Sequence, residues 1–516
     1  MRSAATAILG WKIGAREQDF AELSFYDAVA RIDREGVGYF EGAGAQKFNE
    51  EIPKSVDENL QAGERKALTD RLTALNLAMT AYEVPRVPSD EEGARRLFEF
   101  AKHAGVETIV SESMPAQLDA VDKLANEFSI NVAIESAHDL STNLSARVGV
   151  CGDTAQWRRS GLDPIATIQR LNSRLLVLNV HSDAPNLAVM LREMYRLQLK
   201  PSLITVSGSF EAFEKALQPV LADKVDQMSR TAAIRSPDSL TSEMRSQIDA
   251  ALPAKAAAAP RKPRKLLVLD LNIAYPGHRS IPAENYALEQ MGKRTGAYEA
   301  VFSNDLDNLK YDHIRQFDAV YLNNTVGMIF VDPEVREGLT RFVREGGGLG
   351  GNHGTSHASM DWPEFHEMIG VVRGIHRENT EKAWVKIDDP SSPLTVPFEG
   401  KEFLYMDEFF RFPTPPYSRD KLHVLLSMDV AKTDMNQGRP CQWPCVRPDH
   451  DYAVSWIRNY GKGRVFFTIL GHQPTLFTTP SLADYFLRGI QFMLGDLEAD
   501  AAPRVHTHPD KYRSSN

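Results

Sequence analysis

Residues 90–113, DEEGARRLFEFAKHAGVETIVSES, contain one complete structural unit of the first half of the chain. Apolar residues at three- and four-residue spacing predict a helix over 90–104. The apolar run that follows predicts a strand over 107–112 and ends on Glu112. A helix followed by a short strand with an apolar centre is typical of a parallel sheet whose strands are joined by helices.

The same unit recurs about every 25 to 30 residues between residues 5 and 225, the length scale of a βα repeat. Helical stretches are predicted between strands, and in one of them Phe25, Ala28, Val29 and Ile32 form a single apolar stripe. The predicted strands are 6–13, 37–42, 78–85, 107–112, 131–136, 148–153, 174–181 and 202–207. Eight strands with helical connections predict a (β/α)8 barrel.

The rest of the chain divides into a linker, a second α/β domain and a tail. Apolar periodicity fades over 228–264, which ends in the Pro- and Ala-rich basic run ALPAKAAAAPRKPRK, so we expect a linker there. Apolar strands at 265–271, 317–324 and 346–352, separated by helices, predict an open doubly wound sheet. We therefore expect a barrel over 1–227, a linker over 228–264, a second domain over 265–498 and a tail over 499–516.

Composition and charge exclude several classes of protein. The 516 residues include 59 basic and 69 acidic ones, giving a net charge of −10 that disfavours binding to nucleic acid. No apolar run is long enough to predict a membrane span. Three cysteines cannot form a disulfide framework, although Cys441 and Cys445 are close enough in sequence to pair. The apolar stretch among the first residues is too weak for a secretory signal, so we expect a cytoplasmic protein. The expected ligand is a small molecule, and homo-oligomer formation is left open.

Polar side chains at the carboxyl ends of the predicted barrel strands are the first candidate site. In a barrel these positions face the active-site mouth. They are Glu41, Glu112, Glu135, Asp153, His181 and Ser207. Several carboxylates and an imidazole would suit a divalent cation that polarises a sugar carbonyl. The alternative, that several of these residues cap helices or lie in loops, carries equal weight.

The second candidate site is a histidine cluster in GGNHGTSHASMDWPEFH, which contains His353, His357 and His366. Asn352 and His353 follow a predicted strand, at the elbow where hydrolases carry a nucleophile, but neither Cys nor Ser stands there. Acid/base chemistry by imidazole is therefore the better interpretation. For His366 we favour a structural role on an amphipathic helix. The GxGxxG at Gly346 follows a helix and opens a strand, the reverse of a dinucleotide site.

Downstream residues add candidates to this second site. Asp407 and Glu408 in YMDEFF, and His472 in ILGHQPT, come at predicted strand ends. We expect His353 and His472 to act as acid and base, with Asp407 or Glu408 orienting them. The same residues with His357 could instead hold a zinc-like ion, since imidazole and carboxylate are its usual ligands.

The first domain resembles the xylose-isomerase-like sugar phosphate isomerase/epimerase barrels in SFYDAVARIDREGVGYFEG, INVAIES and VGVCGDTAQWRRSGLDPIATIQRL. The resemblance implies metal ligands on strands five to eight, of which Glu135 and Asp153 are present. Asn179 or His181 stands at the seventh-strand position, and Thr205 or Ser207 at the eighth, where the family has His and Glu. Gln156 stands where a further family histidine is frequent. This loss favours a barrel that binds a sugar-like ligand over an active metalloisomerase.

The second domain resembles the ThuA-like (trehalose-utilisation) family in HRSIPAENYALEQMGKRTGAYEAVFSND, FVREGGGLGGNHGTSH, DWPEFHEMIG, YMDEFF and YGKGRVFFTILGH. The resemblance implies a flavodoxin-like, class I glutamine-amidotransferase-like fold without the amidotransferase cysteine. It also implies carbohydrate catabolism on glycosides or their 3-keto derivatives. The family's polar positions fall on His278, His353, His357, Asp407, Glu408 and His472.

Three functional hypotheses follow. The first is a carbohydrate-processing enzyme whose second domain isomerises, eliminates or hydrolyses a sugar by acid/base chemistry, with His278, His357, Glu112, Glu135, Asp153 and His181 binding substrate. The second is a non-catalytic sugar-binding or assembly protein. The third is a divalent-metal-dependent sugar isomerase or epimerase acting in the barrel. Zn or Mn is the only cofactor that these residues suggest.

Overall fold

The computed structural model describes residues 2–136, 143–438, 447 and 449–504. Cys441 and Cys445 lie outside these residues. The chain forms two compact units, Met1–Lys224 and Val225–Asn516. The boundary falls inside a helix, Phe210–Thr231.

The first unit is a closed barrel of eight strands, all parallel and paired in chain order. The strands are β1 (Ile13–Arg16), β2 (Tyr39–Ala43), β3 (Ala78–Val84), β4 (Thr108–Ser111), β5 (Asn131–Glu135), β6 (Val148–Asp153), β7 (Leu175–His181) and β8 (Leu203–Ser207). Seven of them coincide with strands predicted from the sequence. The predicted (β/α)8 barrel is therefore confirmed.

Helices surround this barrel: α1 (Arg2–Leu9), α2 (Phe25–Arg34), α3 (Ala62–Ala74), α4 (Glu91–His103), α5 (Leu118–Phe128), α6 (Thr154–Arg159), α7 (Pro164–Leu171), α8 (Leu187–Arg196) and α9 (Phe210–Thr231). Helix α2 begins where the side chain of Ser24 accepts the backbone N–H of Asp27. Its predicted apolar stripe is buried against the barrel wall. Inside the barrel Ala81, Val110, Ala133, Cys151, Val177 and Leu203 form a buried cluster.

The first strand lies elsewhere than the sequence predicts. Residues 6–13 were expected to form it, but α1 covers Arg2–Leu9 and β1 begins only at Ile13. The buried residues Ala5 and Leu9 are four positions apart, which is a helical spacing. The correction matters because it places Arg16 at the carboxyl end of a barrel strand.

The second unit contains a nine-stranded mixed sheet in the order β10-β9-β11-β12-β17-β16-β15-β13-β14. The strands are β9 (Lys265–Leu269), β10 (Glu299–Phe302), β11 (Ala319–Leu322), β12 (Gly348–Asn352), β13 (Glu381–Ile387), β14 (Phe403–Asp407), β15 (His423–Met428), β16 (Ala453–Tyr460) and β17 (Gly463–Thr468). Pairing is parallel from β10 to β17 and antiparallel from β17 to β14. The carboxyl ends of the parallel strands meet at one edge.

The helices of this unit are α10 (Ser242–Ala251), α11 (Ile281–Thr295), α12 (Tyr311–Ile314), α13 (Pro333–Glu345), α14 (Pro363–Ile369) and α15 (Pro480–Leu494). The glycines of β12 let α15 approach the sheet closely. A Cβ atom on Gly348 would lie 2.5 Å from the backbone oxygen of Met493. The glycine-rich run thus allows the helix to pack closely against β12.

Residues 228–264 differ from the linker that their composition suggests. They include α10, in which Ile248 and Ala251 are buried. The backbone N–H of Arg235 donates to Asp270, and the hydroxyl of Tyr286 donates to Asp249. This segment is therefore a folded part of the second unit.

Within the described residues, no helix combines the length and apolar character that crossing a membrane needs.

Candidate functional site

The site in the second unit is built around His353, the first residue after β12. It has φ +40°, in the left-handed region, and begins a 3-10 helix over His353–His357. The elbow rests on a buried polar network, because Glu284 accepts from the side-chain amides of Asn352 and Asn324. Asn324 in turn accepts the backbone N–H of Gly354. These hydrogen bonds therefore hold the sharp turn that the sequence predicts at this position.

The fully buried ring of His353 has both nitrogens facing acceptors. Its Nδ1 lies 2.9 Å from the carbonyl oxygen of Ile469, which can only accept, so Nδ1 carries a proton. Its Nε2 lies 2.9 Å from Oε2 of Glu408. A proton or a cation between these two atoms would satisfy both of them.

Glu408 follows β14 and is surrounded by imidazoles. Its Oε2 lies 3.2 Å from Nδ1 of His472, which follows β17. Its Oε1 lies 3.0 Å from Nδ1 of His376, in the loop before β13. Nδ1 of His472 and Nε2 of His353 are 3.3 Å apart. One carboxylate therefore contacts three histidines from three separate segments.

Asp407 has a different role from its neighbour. Its Oδ2 accepts the backbone N–H of Gly471 at 2.9 Å, and its Oδ1 accepts those of Glu408 and His472 at 2.9 and 3.1 Å. Asp407 is fully buried, and both of its oxygens are used by the backbone. Asp407 therefore holds the backbone segment that carries His472, which corresponds to the orienting role that the sequence offers it, and it is not among the converging ligand atoms.

His278 completes the cluster. Its ring centroid lies 4.8 Å from that of His353 and 5.3 Å from that of His472. Its Nε2 lies 3.4 Å from the hydroxyl of Tyr275. Its buried Nδ1 has no hydrogen-bond partner among the described residues. A buried ring nitrogen without a partner is unusual unless water or an ion satisfies it.

His278, His353, Glu408 and His472 each offer a ligand atom within 4.8 Å of the others. A point equidistant from Nε2 of His353, Nδ1 of His472 and Oε2 of Glu408 lies about 1.8 Å from each, close to the roughly 2.0–2.2 Å of zinc bonds to nitrogen and oxygen. The carbonyl that holds Nδ1 of His353 is a common second partner of metal-binding histidines. These residues fit a zinc-like cation, and we name the four the histidine–glutamate cluster.

Charge and burial act on these groups in opposite directions. Burial and the neighbouring histidines lower the pKa of His278 to about 3. Burial also lowers the pKa of His472, but the hydrogen bond and charge of Glu408 outweigh it, and the net pKa is raised. Burial opposes the charge of Glu408, yet contacts with His353, His376 and His472 hold its pKa well below the usual range. The cluster thus keeps Glu408 ionised.

The other two histidines of the sequence motif are not among the converging ligand atoms. His357 lies with its ring 5.3 Å from that of Phe410, and burial lowers its pKa to about 4. It is not among the converging ligand atoms. Phe410 also stacks on His353 at 4.4 Å. Nδ1 of His366 donates to the carbonyl of Val371 within the core, in keeping with the structural role that we favoured.

The mouth of the barrel contains an arginine surrounded by carboxylates. Nε of Arg16 donates to Oε1 of Glu41 at 2.9 Å, and Nη2 lies 3.2 Å from Oε2 of Glu83. Nη2 is also 3.8 Å from Glu135, and Nη1 is 3.9 Å from Asp153. The guanidinium therefore meets carboxylates from β2, β3, β5 and β6. We call these five residues the barrel-mouth cluster.

Other barrel residues named from the sequence lie apart from these contacts. Glu112 is exposed, and His181 is half exposed with its Nδ1 3.8 Å from Asp183. The hydroxyl of Ser207 donates to Asp19. Asn179 is buried, and its Oδ1 accepts from Thr205 at 2.5 Å. The seventh- and eighth-strand positions thus hold an amide and a hydroxyl bonded to each other.

Burial changes the ionisation of the acidic residues at this end of the barrel. It raises the pKa of Glu41 to about 8, with Arg16 opposing the shift. It raises the pKa of Glu135 to about 7 and, for the nearby Glu17, to about 8. Burial also opposes the charge of Arg16, but Glu41 and Glu83 raise its pKa overall. The guanidinium charge is permanent.

A protein-family model matches part of the second unit. Residues 265–493 match the ThuA family model, described as trehalose utilisation. We call residues 265–493 the ThuA region, and it contains the whole histidine–glutamate cluster. No curated protein matches the chain.

Three solved structures each match less than half of this chain. A ThuA-like protein from Bacteroides uniformis covers 48% of this chain and 96% of its own, at 18% identity and a TM-score of 0.39. A sugar phosphate isomerase/epimerase from Parabacteroides distasonis covers 41% of this chain and 94% of its own, at 14% identity and a TM-score of 0.32. The E. coli 3-keto-D-glucoside 4-epimerase covers 41% and 99%, at 13% identity and a TM-score of 0.30.

Sequence reasoning missed His376, which contacts Glu408 of the histidine–glutamate cluster, and two residues of the barrel-mouth cluster. His376 lies in an irregular loop, VVRGIHREN, where no periodic pattern marks it. Arg16 was hidden because β1 was placed too early in the chain. Glu83 is at the end of a correctly predicted strand, and its position alone could have identified it.

Proposed function

We propose that the ThuA region is the active site of a carbohydrate-processing enzyme and that the histidine–glutamate cluster binds a divalent cation of the zinc type. The observation that carries the proposal is the convergence of Nε2 of His353, Nδ1 of His472 and Oε2 of Glu408 within 3.3 Å of one another. The unpartnered buried Nδ1 of His278 supports the same conclusion.

A cation held by these residues would supply Lewis-acid polarisation of a sugar carbonyl or hydroxyl. The protein's own residues hold it and move protons. Ile469 fixes the tautomer of His353, and Asp407 fixes the backbone at His472. His376 and His472 keep 27% and 23% of their side chains exposed, so they are the imidazoles of the site that can reach a ligand. We assign proton transfer to His376 and cation binding to the cluster.

The substrate class that we propose is a glycoside or its 3-keto derivative. Proton abstraction beside a ketone, followed by elimination or isomerisation, needs only a base, an acid and a group that stabilises the oxyanion. At the turn after β12 the chain has His353 rather than Ser or Cys, which disfavours a mechanism through a covalent acyl intermediate.

The proposal is tested by turnover of a panel of glycosides and 3-keto glycosides, followed by NMR, with zinc or manganese supplied. We expect His353→Ala to lose about a hundredfold or more in kcat/KM, the size of an acid/base or ligand defect. His313→Ala is the matched control, because this histidine is exposed and its ring bonds to the backbone carbonyl of Asp307, away from the histidine–glutamate cluster. A rise in melting temperature with these ligands, without any turnover, would instead indicate a sugar-binding protein.

A further inference from the structure

We propose that the guanidinium of Arg16 is the resident cation of the barrel-mouth cluster and that it excludes a divalent metal from Glu135 and Asp153. Four strands bring their carboxylates to this one side chain, at distances of 2.9 to 3.9 Å. An arginine at the end of β1 therefore stands among the residues that resemblance assigns to a metal.

The remaining ligand positions support exclusion of the metal. Asn179 and Thr205 are neighbours in the register of β7 and β8, and their side chains bond to each other. Neither presents an imidazole or a carboxylate. Any ion at this mouth would therefore have to be held by the carboxylates that Arg16 contacts.

Arg16 and a metal ion cannot share these two carboxylates at low cost. A divalent cation binds carboxylate oxygens at about 2.0–2.6 Å. An ion that contacted Glu135 and Asp153 together would lie within a few ångströms of the guanidinium nitrogens. Coulomb repulsion between like charges disfavours that position. Arginine does not lose its proton in proteins, so this repulsion persists at every physiological pH.

The cluster is open to a ligand of another kind. The side chains of Glu135 and Asp153 are each 21% exposed, and the buried Oε2 of Glu41 has no hydrogen-bond partner among the described residues. Four acidic side chains already contact the one guanidinium, so its positive charge is compensated and an anionic group would gain little from it. The site is therefore suited to a neutral, hydroxyl-rich ligand that donates to the carboxylates, bound without any metal. This conclusion is independent of the function proposed for the ThuA region.

Manganese binding to the full chain, followed by electron paramagnetic resonance, tests the exclusion. In the otherwise wild-type chain, Glu135→Gln combined with Asp153→Asn should leave manganese stoichiometry unchanged. Arg16→Met should add one equivalent per chain, Arg16→Lys should add none, and the two carboxylate substitutions should remove the added equivalent. Circular dichroism checks that each variant is folded.

Two results would overturn the exclusion. One is the loss of a manganese equivalent when Glu135 and Asp153 are changed while Arg16 is present, and this comparison decides the matter even if Arg16→Met does not fold. The other is a folded Arg16→Met chain that gains no manganese.

The ligand class is tested by calorimetric titration with D-fructose and D-fructose 6-phosphate, in the presence of EDTA. We expect D-fructose to bind about tenfold more weakly after Asp153→Asn, which removes a charged acceptor, and the phosphate ester to bind less well than the sugar. Absence of D-fructose binding, or tighter binding of the phosphate ester, would refute the neutral-ligand assignment.

Discussion

Asp407 and Glu408 are adjacent carboxylates for which the same kind of substitution should have opposite consequences. Asp407→Asn replaces one oxygen of a buried carboxylate that accepts three backbone N–H groups. At least one accepted bond is lost, and an amide N–H then faces a backbone N–H. Hydrogen bonds to charged groups contribute about 1.5–3 kcal/mol each, so we expect the unfolding free energy to fall by about 2–4 kcal/mol.

Glu408→Gln instead removes the charge that contacts His353, His376 and His472. We expect turnover to fall by about a hundredfold or more, while Asp407→Asn keeps turnover within about tenfold where the chain is folded. Urea unfolding followed by circular dichroism gives the stabilities, and the glycoside assay gives the rates. An Asp407→Asn chain as stable as wild type, or a fully active Glu408→Gln chain, would refute the division of roles.

Three further outcomes follow from the structure. Burial raises the pKa of Glu17 to about 8 from 4.5, so its contribution to the unfolding free energy is present below about pH 4.5 and is lost as pH rises to about 8. Glu17→Gln should therefore reduce the dependence of the unfolding free energy on pH, measured by urea titrations repeated across this range. An unchanged pH dependence would contradict the shift. Glu381→Gln leaves the fully buried Arg411 without its charge partner and should cost about 3–5 kcal/mol of stability, whereas a loss below about 1 kcal/mol would show that the pair is dispensable. A fragment starting at residue 225 should be more stable to heat than one starting at 265, which lacks α10; equal melting temperatures would contradict the packing of that segment.

The sequence predicts the fold well because both units repeat simple patterns. Short Val- and Ile-rich strands between amphipathic helices identify seven of the eight barrel strands. The remaining strand, β1, is misplaced because the apolar residues between Ala5 and Ile13 belong to two elements, the end of α1 and the start of β1. An apolar run of this length does not distinguish a buried helix from a strand. That single shift concealed Arg16 and Glu17.

The candidate site was predictable only where strand ends reveal it. His353 and His472 follow β12 and β17, and their position at one edge of the sheet follows from parallel pairing. The different uses of Asp407 and Glu408 were not predictable, because they depend on which backbone N–H groups lie within reach. The packing of α10 was hidden for a similar reason, since the buried face of Ile248 and Ala251 is too small to produce a clear periodic pattern.

The most direct test of the central proposal is the anomalous scattering of crystals grown with zinc, recorded on both sides of the zinc edge. We predict one strong peak at about 2.0–2.2 Å from Nε2 of His353, Nδ1 of His472 and Oε2 of Glu408, with His278 as the nearest further ligand. The same peak should be absent from crystals of Glu408→Gln. A zinc-soaked wild-type crystal with no peak in the histidine–glutamate cluster would contradict the account.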